Sequence, residues 1–197
     1  MRLFRFVDAS GEALADLLIG HANPSGRLTM SIPESVGQIP VHYNSFRTGR
    51  PFRGKLERYV SRYLACDNEP LFPFGYGLSY SEFAYSNFSV EKVVGENDVV
   101  AMARIDVTNI SHVTGKETVQ LYIHDVAAQV VRPVKELKGF RKIELQPGET
   151  ATVAFEISRE MLSYWNEEQT FCFEPGDFDV MLGNNSSNVS TARVWIE

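Results

Sequence analysis

Two regimes of hydrophobic patterning meet near residue 82. Downstream, apolar and polar positions alternate with a period of two: Val119, Leu121 and Ile123 interleave with Thr118, Gln120 and Tyr122, and Val153, Phe155 and Ile157 with Thr152, Ala154 and Glu156. The alternation predicts strands over 85–91, 99–108, 117–124, 137–145, 150–157, 177–183 and 191–196. Turn residues part them at Gly95-Glu96-Asn97-Asp98, 111–115, Gln146-Pro147-Gly148-Glu149, Glu174-Pro175-Gly176 and 184–188. Seven short strands so spaced predict an immunoglobulin-like antiparallel β-sandwich, with Tyr122 on an outward face. Ser158, followed by Arg159-Glu160-Met161-Leu162, interrupts the alternation as a capped helical turn.

Upstream the pattern changes. Ser10-Gly11-Glu12-Ala13 reads as an N-cap and acidic first turn, Leu14, Leu17 and Leu18 share one helical face, and Gly20 ends the helix. After the turn Asn23-Pro24-Ser25-Gly26, the apolar Leu28, Met30 and Ile32 alternate with Arg27, Thr29 and Ser31 as in a strand. One helix and one strand cannot close a core, so this segment is expected to dock on a partner mostly outside the chain. From 33 to 69 the residues Pro33, Gly37, Pro40, Gly49, Pro51 and Gly54 stand too close for long elements. The same region concentrates Gln38, His42, Tyr43, Asn44, Arg47, Arg50 and Arg53, and is expected to face a ligand. The stretch Leu71-Phe72-Pro73-Phe74-Gly75-Tyr76-Gly77-Leu78-Ser79-Tyr80 predicts a buried, irregular joint, because Pro73 lacks a donor and glycines weaken regular structure. Residues 83–197 are expected to fold alone, and residues 1–82 are not.

Composition narrows the class. With 44% hydrophobic, 12% aromatic and 22% charged residues the chain has the make-up of a soluble globular protein. Nineteen basic residues against 25 acidic give a net charge of -6, which disfavours a polyanion, so no nucleic-acid partner is expected. Cys66 and Cys172 have no CxxC or Cys/His spacing and read as free thiols. His21, His42, His112 and His124 show no metal-ligand spacing, and neither metal nor cofactor is expected. No apolar run approaches the roughly 18 residues of a membrane span, so no membrane partner is expected. Met1-Arg2-Leu3-Phe4-Arg5-Phe6 has charge but no apolar core of a secretion signal, which predicts a cytoplasmic protein. Asn87, Asn109, Asn184, Asn185 and Asn188 each open an Asn-x-Ser motif and are read as turn chemistry.

Several blocks in a fixed order carry a resemblance. Asn23-Pro24-Ser25-Gly26-Arg27-Leu28, then Ser35-Val36-Gly37-Gln38-Ile39-Pro40-Val41 with Tyr43-Asn44, then Thr48-Gly49-Arg50-Pro51 and the aromatic joint are followed by Arg132-Pro133-Val134-Lys135-Glu136-Leu137-Lys138-Gly139-Phe140. Leu145-Gln146-Pro147-Gly148-Glu149-Thr150 and Glu174-Pro175-Gly176-Asp177-Phe178 continue the series. Together they closely resemble the C-terminal part of glycoside hydrolase family 3 β-glucosidases, from about Gly11 to the end. The resemblance implies that 1–82 is the truncated end of an α/β sandwich domain with a long loop and the joint. It implies that 83–197 is a fibronectin type III-like domain. Met1 to Ala9 depart from the family pattern and are expected not to be native family sequence.

In such enzymes the nucleophilic Asp belongs to a TIM-like barrel and the acid/base Glu to the α/β domain upstream of the matched segment. The resemblance therefore implies no catalytic residue here. Glu34, Glu57, Asp67 and Glu69 in the loop region have no spacing that fixes a carboxylate pair and read as solvated acids. The candidate substrate-binding residues are Arg50, whose fork in a Gly/Pro frame suits two sugar hydroxyls, with Tyr43 and Asn44 beside it. Phe72, Phe74, Tyr76 and Tyr80 are read as packing rather than sugar stacking, and Tyr164-Trp165 as filling a corner of the sandwich. The chain thus reads as a non-catalytic part that braces the missing barrel and α/β domains of a retaining β-glucosidase acting on β-glucosides or oligosaccharides. The rival is a free-standing carbohydrate- or protein-binding sandwich, which would carry an exposed aromatic row.

Overall fold

The computed structural model describes residues 10–51, 58–93 and 98–197. Its alternating segments pair as two antiparallel sheets. One holds β1 (Phe83–Lys92), β2 (Val99–Asn109) and β5 (Thr150–Ser158) in the order β1-β2-β5. The other holds β3 (Gly115–Asp125), β4 (Glu136–Leu145), β8 (Gly176–Gly183) and β9 (Val189–Ile196) in the order β4-β3-β8-β9. Every strand predicted downstream of residue 82 is present, and the inward set is the predicted one. Ala103, Ile105 and Val107 of β2 meet Val119, Leu121 and Ile123 of β3 and Phe178, Val180 and Leu182 of β8 in a single core. Residues 95–97 of one expected turn lie outside the described residues.

Local polar groups end these strands as their chemistry requires. Ser158 Oγ accepts from Met161 N at 3.3 Å and starts the short helix α2 (Arg159–Leu162), the capped turn read from the sequence. Asn109, fully buried, donates to Val113 O and Leu145 O at 2.8 and 2.9 Å, and Asn185 accepts from Ser187 N and Asn188 N. A two-rung hairpin, β6 (Tyr164–Trp165) and β7 (Phe171–Cys172), has no signature in the sequence because two residues have no period. It corrects the corner reading: Tyr164 is 3% exposed, but Trp165 is 66% exposed against Phe171. Cys66 and Cys172 are both free.

Helix α1 (Ser10–Ile19) forms as expected, with Leu14 and Leu17 half-buried and Leu18 left exposed. The expected strand at 28–32 is a correction. Only Ile32 forms a ladder bridge, and its partner is the aromatic joint: Ile32 and Phe72 exchange hydrogen bonds, Leu28 N donates to Tyr76 O, and Gly75 N to Leu28 O. The two stretches run antiparallel, and a turn in which Tyr76 N donates back to Pro73 O at 3.1 Å, with Gly75 at φ +79°, interrupts what would otherwise be a continuous ladder. The joint is also less buried than expected, with Gly75 buried, Phe72, Phe74 and Tyr76 half-buried, and Leu71, Leu78 and Tyr80 exposed.

This irregular hairpin lies on the outward face of β3. Tyr122 points away from the sandwich core as the alternation requires, yet it is 0% exposed, because Tyr43 meets it edge-on at 5.8 Å and stacks on Phe74 at 4.3 Å. Gln120 donates to Gly75 O and Asn184 O and accepts from the Tyr122 hydroxyl. Asn23 uses both sides of its amide: it donates to Ser81 Oγ and Thr114 O and accepts from Ser79 Oγ and Tyr80 N. Arg27 pairs with Glu117, which also accepts from the Tyr85 hydroxyl and Thr118 N. The leading segment is thereby fixed to the sandwich through polar groups and rings at once.

Candidate functional site

The loop after residue 33 is organised by one amide. Gln38, 1% exposed in the 3₁₀ turn Val36–Gln38, accepts from Glu34 N and donates to Asp67 O at 2.7 Å and Glu69 O at 3.2 Å. Its own carbonyl accepts from the Tyr63 hydroxyl. Gln38 therefore faces inward as a staple, because it is buried and both of its N–H donors are spent on the loop backbone. Further along, Ser61 N donates to Arg50 O, Val134 N to Ser45 O, and Phe46 bridges Pro133. These bonds hold a loop with almost no regular structure.

The three candidate sugar-binding residues take different places. Tyr43 is half-buried under the loop, its ring held between Phe74 and Tyr122 and its hydroxyl accepting from Leu137 N at 3.4 Å. Asn44 is exposed beside it. Arg50 is exposed, its guanidinium 6.0 Å from the Tyr59 ring centroid, a contact at the outer limit for a cation–π pair. Arg53 and Glu57 lie outside the described residues.

Between the loop and the sandwich lies a cleft of about 1160 Å³. Phe46, Arg47, Arg62 and Tyr63 line its loop side, Asp67 and Glu69 its rim, and Lys135, Ser186 and Ser187 its sandwich side. Lys135 donates to Ser186 O at 2.6 Å, and burial draws its ammonium below the usual lysine range, offset by Glu69. Ser187 Oγ donates to Glu69 at 3.3 Å, and Ser186 N to Phe74 O at 2.9 Å. Glu34 and Asp67 both border a smaller pocket of about 330 Å³. Lys135 and Ser187 carry no sequence signal as site residues, since only the folded β3–β4 and β8–β9 connections bring them to the loop. No cluster of three or more His, Cys, Asp or Glu among the described residues could hold a metal ion.

Both halves of this arrangement match known domains. Residues 7–80 match the glycosyl hydrolase family 3 C-terminal domain, and residues 117–186 match a fibronectin type III-like domain. The chain carries the C-terminal part of a family 3 glycosyl hydrolase. It is 47% identical over 180 residues to the periplasmic β-glucosidase of Salmonella typhimurium, covering 91% of this chain and 24% of that protein. A putative β-xylosidase of Formosa agariphila is 41% identical over 175 residues, covering 89% of this chain and 22% of its own length. Among solved structures, the β-glucosidase of Listeria innocua in complex with isofagomine superposes with a TM-score of 0.87 at 47% identity, over 94% of this chain and 26% of that one. The chain spans about a quarter of the length of these relatives. In this family 3 region the cleft straddles both matched domains, with Tyr63 in the first and Lys135 in the second. No helix among the described residues is long and apolar enough to cross a membrane.

Proposed function

We propose that this chain is the non-catalytic C-terminal part of a retaining β-glucosidase, carries neither catalytic carboxylate, and braces the barrel and α/β domains of the intact enzyme. In this reading 1–82 is the end of the α/β sandwich domain and 83–197 a complete fibronectin type III-like domain. The observation that carries it is the asymmetry of the leading segment. One side is fixed to β3, while Leu18, Ile19, Met30, Val36 and Leu64 stay 64–88% exposed. Five large apolar side chains left in water on one short segment suit docking on a further domain. The names of the relatives support a β-glucoside or oligosaccharide as the substrate.

Within that enzyme Arg50 holds the leaving-group sugar with its fork, Asn44 contributes from the same exposed loop, and Tyr43 supports the loop from below. Hydrolysis of p-nitrophenyl β-glucoside tests the reading. The 197-residue chain alone is expected to be inactive, and activity is expected on mixing it with a separately expressed barrel plus the missing α/β region. Turnover by the chain alone would overturn the absence of both carboxylates. Fractionation of cells expressing the full-length gene decides between the cytoplasm expected from the sequence and the periplasm in the Salmonella relative's name.

A further inference from the structure

The cleft beneath the loop is chemically mixed, and its mixture is informative. Phe46 and Tyr63, whose rings line the cleft, are 60% and 41% exposed. Around them stand three cations, Arg47, Arg62 and Lys135, and two carboxylates, Asp67 and Glu69. A wall selecting an anion would carry cations without carboxylates, whose charge repels it. Sugar hydroxyls donate and accept alike, so a wall with both kinds of partner and an apolar face suits a neutral carbohydrate. The volume of about 1160 Å³ exceeds the roughly 300–1,000 Å³ of an ordinary small-molecule pocket, so the space takes several pyranose units rather than one.

We infer that this cleft is a binding subsite for a neutral β-linked oligosaccharide, and that the sandwich contributes its polar wall through Lys135 and Ser187. Lys135 has three N–H donors and spends one on Ser186 O, leaving two for ligand oxygens. Its wall is preorganised, because Ser186 N is bonded to Phe74 O and Ser187 N to Asn185 Oδ1 at 2.9 Å each. The inference rests on the carbohydrate reading above but not on Arg50, which is absent from the cleft lining. It gives the fibronectin type III-like domain a share in ligand choice beyond bracing.

Titration of the ¹⁵N-labelled 197-residue chain with laminaritetraose, glucose and a tri-galacturonate tests it by amide shifts. Saturable shifts at Phe46, Tyr63, Lys135 and Ser187 with laminaritetraose are expected, with binding at least tenfold weaker for glucose. Lys135→Met, similar in length and apolar, should weaken laminaritetraose about tenfold, the loss of a charged hydrogen bond. Ser187→Ala should weaken it severalfold, and both spectra must stay dispersed as evidence of folding. No saturable shift at these residues, a preference for the tri-galacturonate, or indifference to both substitutions would overturn the subsite. Loss of sugar binding in Arg50→Ala but not in Lys135→Met would also overturn it while leaving the proposed role of Arg50 standing.

Discussion

At Gly75 the backbone takes φ +79°, and an added Cβ would lie 2.0 Å from Gln120 Oε1. Gly148 has nearly the same φ, +76°, with nothing within 4 Å of the added atom. The pair separates strain from collision. Gly148→Ala should cost the left-handed conformation alone, about 1–2 kcal/mol. Gly75→Ala should cost about 2–4 kcal/mol, since it also displaces the amide that joins the joint to Asn184. Urea unfolding of both variants measures the difference, and equal losses would mean that Gln120 moves aside freely. Glu117 raises a different question. Its side chain is 3% exposed, and burial lifts its carboxyl above the usual glutamate range, although Arg27, Tyr85 and Thr118 all pull the other way. The folded state therefore binds this proton more tightly than the unfolded state, so this group favours folding at low pH. That contribution is lost as pH rises from the ordinary glutamate pKa through the raised one. Glu117→Gln should flatten that part of the stability-against-pH curve. Arg27→Met, which leaves a covered carboxylate unpaired, should destabilise by about 3–5 kcal/mol at pH 7 and steepen the same slope.

At the scale of elements, β3 shows what was legible and what was not. Its alternation places Val119, Leu121 and Ile123 inward and Tyr122 outward, and the structure agrees, because a strand in a two-layer sandwich has to obey the period of two. The period does not say what covers the outward face. Tyr122 is covered by Tyr43, itself stacked on Phe74, from two segments whose own patterning is irregular, so the contact had no signature in the chain. The pairing of 28–32 with 72–76 was hidden for a related reason, since the turn at 73–76 breaks the ladder within the very stretch that serves as partner. The candidate site divides in the same way. Tyr43, Asn44 and Arg50 were found from composition and resemblance, whereas the wall made by Lys135 and Ser187 exists only after the β3–β4 and β8–β9 connections meet the loop. A half-buried ring in a stack is worth less than one in a core, where Phe→Ala costs about 3–5 kcal/mol. Phe74→Ala should thus lower stability by about 2 kcal/mol, read by urea unfolding, and expose Tyr122 to iodide quenching. Unchanged quenching would show that Tyr43 alone seals the face.

At the scale of the molecule, burial is distributed unevenly, and this determines which half folds unaided. Every hydrophobic residue of the buried core lies between Val100 and Ile196, and among the described residues of the leading segment the buried side chains are the polar Gln38 and Ser81. A segment that buries no apolar side chain fully cannot offset its own chain entropy, so 1–82 alone should show no cooperative transition in urea. The sandwich has its whole core, and 83–197 alone should give an antiparallel β circular dichroism spectrum and a cooperative transition. Its stability should nevertheless differ from that of Arg27→Met in an instructive direction. Substituting Arg27 leaves Glu117 covered and unpaired, whereas removing the whole leading segment opens Glu117, Tyr85 and Tyr122 to water. The truncated sandwich should therefore lose less at Glu117 than the point variant and show a nearly ordinary glutamate titration there. It should also bind a hydrophobic dye through Tyr122 and the uncovered face of β3. If 83–197 instead proved less stable than Arg27→Met at pH 7 and showed no dye binding, the leading segment would be supporting the sandwich core itself rather than covering one of its faces.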